Sequence, residues 1–213
     1  MLINDIKISG DKNILSGNLL FMCIPLNDEY PIRIYDDKTT KIIKGKAFIY
    51  NSKNENVIFQ SENQSWRIEK RSFFICARLL AFIDYARDFS KMTAVGTNFD
   101  INQQIFYIKE GSGTLEHLII NEALKDESQL EPLFVTIRHS ESYWLILHLI
   151  SYLDEKKSNI AQIGERYGVS GTHFRRLCKR YLGNCGKSQL RSWRAASSIL
   201  TTLSTDESLT QIA

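Results

Sequence analysis

The chain has 213 residues, 43% hydrophobic and 24% charged, with only three prolines. That is the make-up of a globular protein with room for two cores, and it excludes a low-complexity or disordered chain. Net charge is only +3, but residues 156–194 hold ten Lys/Arg against one acid, Glu165, so this stretch carries +9 and the remainder is acidic. Concentrated positive charge on a short segment points to a polyanionic partner.

In chain order, the start MLINDIKISGDKN bears acids and no apolar run, so no secretory signal is expected. Residues 1–70 then read as strand-rich. LLFMCIPL (19–26), YPIRIY (30–35), KAFIYN (46–51), NVIFQ (56–60) and SWRIEK (65–70) are short β-branched and aromatic runs, split by polar clusters such as DDKTTK and NSKNEN. An antiparallel sheet or small barrel is expected. From residue 72 the period becomes helical: Phe73, Cys76, Leu79, Leu80 and Ile83 mark one helix, and 115–124 and 132–138 mark others. Gly111-Ser112-Gly113 follows a strand-like IFYIKE but lacks the Lys-Ser/Thr of a phosphate loop, so a plain connection is expected. Residues 71–138 are thus mainly helical, and 1–138 form a regulatory or interaction unit of an α+β chain. Residues 143–153 are the longest apolar run. They are broken by His148 and Ser151 and are too short to span a bilayer, so a buried core helix is expected.

Residues 158–183 carry the sharpest signal. Asn159 and Gln162 have the spacing of a capping box around a helix starting at Ile160. Gly168 stands where a positive φ ends that helix, Ser170 can cap the next, and Gly183 can close it. In the second helix Phe174, Leu177, Cys178 and Tyr181 make one apolar stripe. Thr172, Arg176 and Lys179 lie opposite, Arg175 and Arg180 flank them, and His173 sits beside Arg180. An apolar back and a cationic front after a Gly-containing turn are what a DNA-reading helix-turn-helix needs. A longer helix follows over about 187–203, with Leu190, Trp193, Ala196, Ser197, Ile199, Leu200 and Leu203 as its expected buried face. IAQIG (160–164) then recurs as LTQIA (209–213), the first turn of a second such unit.

These residues resemble the DNA-binding domain of the AraC/XylS family of bacterial transcription regulators, two helix-turn-helix units on one linker helix. The match rests on Ile160, Ile163, Tyr167-Gly168-Val169-Ser170, Phe174, Arg175-Arg176-Leu177, Lys179-Arg180, Gly183, Leu190, Arg194, Leu200 and Ile212-Ala213. SESYWL (140–145), the stretch 167–183, QLRSWR (189–194) and LLAFIDYARDF (79–89) are similar to the members that activate type III secretion genes in enteric bacteria.

The resemblance implies a cupin-like N-terminal barrel followed by helices, and a DNA-binding domain over 139–213. It implies promoter DNA and a type III secretion chaperone as partners, a homodimer as a further option, and a cytoplasmic location. It assigns base contact to Thr172, Arg175 and Arg176, with phosphate contact alone as the lesser alternative for the two arginines. Phosphate contact falls to His173, Lys179, Arg180, Lys187 and Arg191, with plain solvation of the surface as the alternative for the last four. The structural frame falls to Ile160, Ile163, Gly168, Ser170, Phe174, Leu177, Gly183, Trp193 and Arg194, with Arg194 bracing the subdomains from within. A second helix-turn-helix only begun at 208 reads as a truncated C-terminus. A truncated regulator acting mainly as a protein-interaction module, with weak DNA binding, is the alternative. Catalysis is not expected: His117, His139, His148 and His173 form no HExxH, and no GxSxG or Walker glycine loop is present. The cysteines at 23, 76, 178 and 185 form no CxxC pair, so no metal, cofactor or disulfide is expected.

Overall fold

A computed structural model describes residues 5–8, 13–15, 19–27, 29–35, 40–51, 57–61, 65–87, 105–108, 114–153, 155 and 159–204. Among these are nine strands: β1 (Asp5–Ile8), β2 (Asn13–Leu15), β3 (Leu19–Pro25), β4 (Ile32–Tyr35), β5 (Thr40–Ile43), β6 (Ala47–Asn51), β7 (Val57–Gln60), β8 (Trp66–Arg71) and β9 (Ile105–Tyr107). There are seven helices: α1 (Phe73–Ala86), α2 (Leu115–Ala123), α3 (Glu131–Arg138), α4 (Glu141–Ile150), α5 (Ile160–Arg166), α6 (Gly171–Leu182) and α7 (Gly186–Ser204). The chain is therefore α+β, with strands first and helices after.

The strands form two wholly antiparallel sheets, ordered β1-β8-β3-β6-β9 and β2-β7-β4-β5. They face each other across one core. Phe21, Cys23, Ala47, Ile49, Trp66 and Ile68 come from the first sheet, and Ile32, Ile34, Ile43 and Phe59 from the second. Successive side chains of a strand point to opposite faces. Leu20 and Met22 therefore turn away from that core, join Phe48 and Phe106, and meet the helices. Strand β3 is covered on both faces, which is why it reads as an unbroken apolar run.

Three strands escape the sequence pattern. β1, β2 and β5 lie in stretches whose polar residues read as breaks, and β5 begins inside DDKTTK. β9 falls in the strand-like IFYIKE, within a stretch that is otherwise mainly helical, and forms the outer edge of the five-stranded sheet by pairing with β6.

Helix α1 lies on the free face of the first sheet, where Phe73 stacks on Tyr50 at 4.3 Å. Helices α2, α3 and α4 complete this second core with Leu118, Ile119, Leu133, Phe134, Ile137, Tyr143, Ile146 and Ile150. Inside it, the fully buried Asp84 of α1 accepts both Nε (2.8 Å) and an Nη nitrogen (3.1 Å) of Arg138, and Tyr143 donates its hydroxyl to it at 2.7 Å. A two-pronged guanidinium and a phenol satisfy a carboxylate that water cannot reach.

The third core packs Leu145 and Leu149 of α4 against Ile163, Phe174, Leu177, Cys178 and Leu190. Helix α4 thus gives one face to the second core and another to the third. The expected buried face of α7 is shorter than its periodicity suggests. Leu190 is buried and Trp193 half-buried, but Ala196, Ser197 and Ile199 are exposed, Ile199 by 54%. An apolar stripe shows which face can be buried, and nothing among the described residues covers this part of it. The side chains of Leu200 and Leu203, the glycine loop at 111–113, Lys156, Lys157 and the second helix start at 208 lie outside the described residues.

Candidate nucleic-acid interface

Helices α5 and α6 and their turn are built from local chemistry. The Asn159 side chain accepts from the amides of Ala161 and Gln162, both at 3.0 Å, and the Gln162 side chain accepts from the Asn159 amide at 3.1 Å. This reciprocal box satisfies the helix start without a tertiary partner. The chain then reverses through Gly168 at φ +89, where an L side chain is strained. Ser170 caps α6 through the His173 amide, and α6 ends on Gly183 at φ +71.

The two helices meet at Gly164. A Cβ there would lie 2.7 Å from the Phe174 Cβ, so only glycine lets α5 and α6 approach this closely. Phe174 is fully buried, with the rings of Tyr167 and His148 at 5.6 and 6.2 Å. His148 reaches across from α4 and donates its Nε2–H to the Ile163 carbonyl at 2.9 Å. Burial holds its pKa below the ordinary histidine value, the nearby Arg166 charge adds to that, and the carbonyl contact opposes it.

The back of α6 is therefore fixed: Phe174, Leu177 and Cys178 are buried, and burial pushes the Cys178 thiol up to about 11. The front is open. Thr172, His173, Arg175, Arg176, Lys179 and Arg180 are all exposed, as are Lys187 and Arg191 on α7. Among the described residues no acid forms an ion pair with any of these cations, and Arg180 lies over the Tyr181 ring at 5.4 Å. By contrast Arg166, on α5, is paired with Glu155 at 3.0 Å. Helix α6 thus presents three arginines and a lysine to solvent, their charges unspent on the protein itself. Such a face can meet phosphates as point charges, and arginine can also fork onto guanine O6 and N7.

Ile163 and Leu177 are buried in the third core, and Ile160 is half-buried against it. Arg194 points inward. Its guanidinium donates to the carbonyls of Leu153 (2.8 Å), Tyr152 (2.8 Å) and Glu155 (2.7 Å), clipping the turn after α4 to α7. Three contacts have no signal in the sequence. Tyr181, on the apolar stripe, donates its hydroxyl to Glu141 of α4 at 2.7 Å, and its ring meets Phe74 of α1 at 5.2 Å. Trp193 meets Phe82 of α1 at 5.1 Å. Their partners lie 40 to 111 residues away, beyond any local pattern.

No protein-family model matches the chain. Among curated proteins it is similar to the invasion protein InvF of Salmonella typhi and Salmonella typhimurium, with 34% identity over 140 residues, 65% of this chain and 64% of InvF. It is similar to the transcriptional regulator MxiE of Shigella flexneri, with 28% identity over 169 residues, 76% of this chain and 78% of MxiE. The chain thus spans somewhat less than two thirds of InvF. Among solved structures it overlays loosely on the AraC-like transcriptional activator CuxR, at TM-score 0.38 and 12% identity, covering 85% of this chain and 67% of CuxR. ToxT of Vibrio cholerae overlays at TM-score 0.24 and 11% identity, covering 84% of this chain and 97% of ToxT. On the sequence matches, the chain is a homologue of the invasion protein InvF and of the transcriptional regulator MxiE.

Proposed function

We propose that this chain is a DNA-binding transcription regulator of the AraC/XylS type, an activator of type III secretion genes that works in a bacterial cytoplasm with a secretion chaperone as co-activator. The observation that carries the reading is the two-sided α6: a buried apolar back and an exposed front of Thr172, Arg175, Arg176, Lys179 and Arg180. Similarity to a protein named as a transcriptional regulator supports it. Its work is recognition rather than catalysis. Arg175 and Arg176 read guanine edges and Thr172 meets a thymine methyl. His173, Lys179, Arg180, Lys187 and Arg191 hold phosphates and fix register without carrying sequence information. Residues 1–138 serve as the regulatory unit, receiving the chaperone or pairing two copies.

The test is a salt-titrated binding isotherm on a type III secretion promoter and on random duplex. Arg176→Ala is expected to lose about 1–3 kcal/mol on the promoter and to relax preference at one base pair. Lys179→Ala is expected to weaken both duplexes alike and to reduce the salt slope by about one. Equal weakening of both duplexes by Arg176→Ala would remove the base-reading role. Absence of salt-dependent binding to either would remove the function.

A further inference from the structure

Helix α1 has two working faces. Phe73, Cys76, Ala77, Leu80, Ala81 and Asp84 are buried against the sheet and the neighbouring helices. Phe74 and Phe82, two turns apart on the other side, are half-buried and face the helix-turn-helix. Phe74 takes the ring of Tyr181 edge-on at 5.2 Å and 76°, and Phe82 takes the ring of Trp193 at 5.1 Å and 89°. Tyr181 belongs to α6, next in sequence to Arg180, and Trp193 belongs to α7. Tyr181 is held a second time, by its hydroxyl on Glu141 in the first turn of α4. Leu182 and Trp193 also pack against the core that contains α1 and the outer face of the five-stranded sheet. None of these contacts covers the exposed front of α6, so the arrangement does not block that face. It fixes its direction.

We infer that α1 is the coupling element between the β-sandwich and the DNA-reading helix, with Tyr181 and Trp193 as positioning residues seated on Phe74 and Phe82. The sandwich side of α1 is buried, so a displacement of α1 by anything bound to the N-terminal unit is carried to α6 and α7 through these two ring contacts. Coupling is reciprocal: whatever α1 does to the reader, an occupant of the reader does to α1. The inference rests on the DNA-reading role of α6, but its mechanical part does not need DNA.

Hydrogen exchange on the full chain tests both parts. Without DNA, Phe74→Ala/Phe82→Ala is expected to speed amide exchange in the C-terminal half of α6 and the first half of α7 by about threefold or more, with β3 and β6 at wild-type rates, because local opening follows local contacts. Tyr181→Ala should do the same in α6, and Tyr181→Phe, which keeps the ring, should restore most of the protection. Unchanged α6 and α7 rates in the double variant overturn the coupling, whatever DNA does. With a duplex of random sequence added, wild type should gain protection in α6 and also in α1, whereas the double variant should gain it in α6 alone. Protection of α6 with α1 unchanged in wild type overturns the coupling; faster exchange without DNA, joined to no protection with DNA, leaves the mechanical coupling standing and overturns the DNA-reading role.

Discussion

Replacing Gly164 by alanine is expected to destabilise the helix-turn-helix, against the ordinary trend. In an open helix the change stabilises by about 0.5–1 kcal/mol, because glycine loses more backbone freedom on folding. Here the added Cβ would sit 2.7 Å from the Phe174 Cβ, 3.0 Å from its Cγ and 3.4 Å from its Cδ1. Carbon atoms rest at about 3.5–4.0 Å, so α5 and α6 must part by about 1 Å. The struck atom is a Cβ, fixed to the backbone, so no rotamer change relieves it. Overpacking of this kind costs about 1–3 kcal/mol. The net loss is therefore up to about 2.5 kcal/mol and centred on about 1 kcal/mol, or a urea midpoint lowered by about 0.5 M at ordinary slopes. Gly45→Ala, with nothing within 4 Å of the added Cβ, serves as the control and should leave the midpoint at or slightly above wild type. Trimming Phe174 to leucine in the Gly164→Ala background should not rescue it, since leucine keeps the Cβ. A midpoint at or above wild type for Gly164→Ala would refute the close-approach argument.

Asp84→Ala should cost about 3 kcal/mol or more in urea unfolding, because it leaves the buried Tyr143 hydroxyl without an acceptor and Arg138 with Glu131 as its remaining acid, whereas an exposed ion pair such as Arg166–Glu155 should cost under about 1 kcal/mol when Arg166 is replaced. Arg194→Ala removes three hydrogen bonds to the turn after α4 and should lower thermal stability as well as DNA binding; intact stability with weaker binding at every sequence would show that Arg194 acts on DNA instead. The depressed pKa of His148 favours its neutral form in the folded chain, so its contribution is complete above the unfolded histidine pKa of about 6.5 and is lost as pH falls from there toward the folded value, at up to about 1.4 kcal/mol per pH unit. His148→Gln should flatten that part of the stability–pH curve, and an unaltered slope between pH 7 and 5 would assign the dependence to other groups.

Local signals in the sequence carried the helix-turn-helix because its determinants are local. The Asn159–Gln162 box, the positive φ at Gly168 and Gly183 and the stripe of Phe174, Leu177 and Cys178 each lie within one turn or one helix. The exposure of Arg175, Arg176, Lys179 and Arg180 followed from the same wheel. The β-sandwich was legible only where strands are apolar enough to be covered: β3, β4, β6, β7 and β8 stood out, while β1, β2 and β5 did not. Periodicity over-read the end of α7, since Ala196, Ser197 and Ile199 repeat as a buried face would and yet stand in solvent. The long-range contacts left no trace, because nothing near Tyr181 in sequence encodes that Glu141 and Phe74 will meet it.

Helix α4 is a party wall. Tyr143, Ile146 and Ile150 line one room, Leu145 and Leu149 the other, and neither room has a wall of its own to spare. A fragment begun at residue 139 would carry the wall away with one face stripped, exposing a tyrosine and two isoleucines and leaving Tyr143 without its Asp84 acceptor. The fragment left behind would lose the same wall, and with it the phenol that donates to Asp84. Cutting the chain between its strand-rich and helix-turn-helix parts is therefore expected to yield two sticky halves rather than two soluble domains, and heat is expected to melt the intact chain in a single transition.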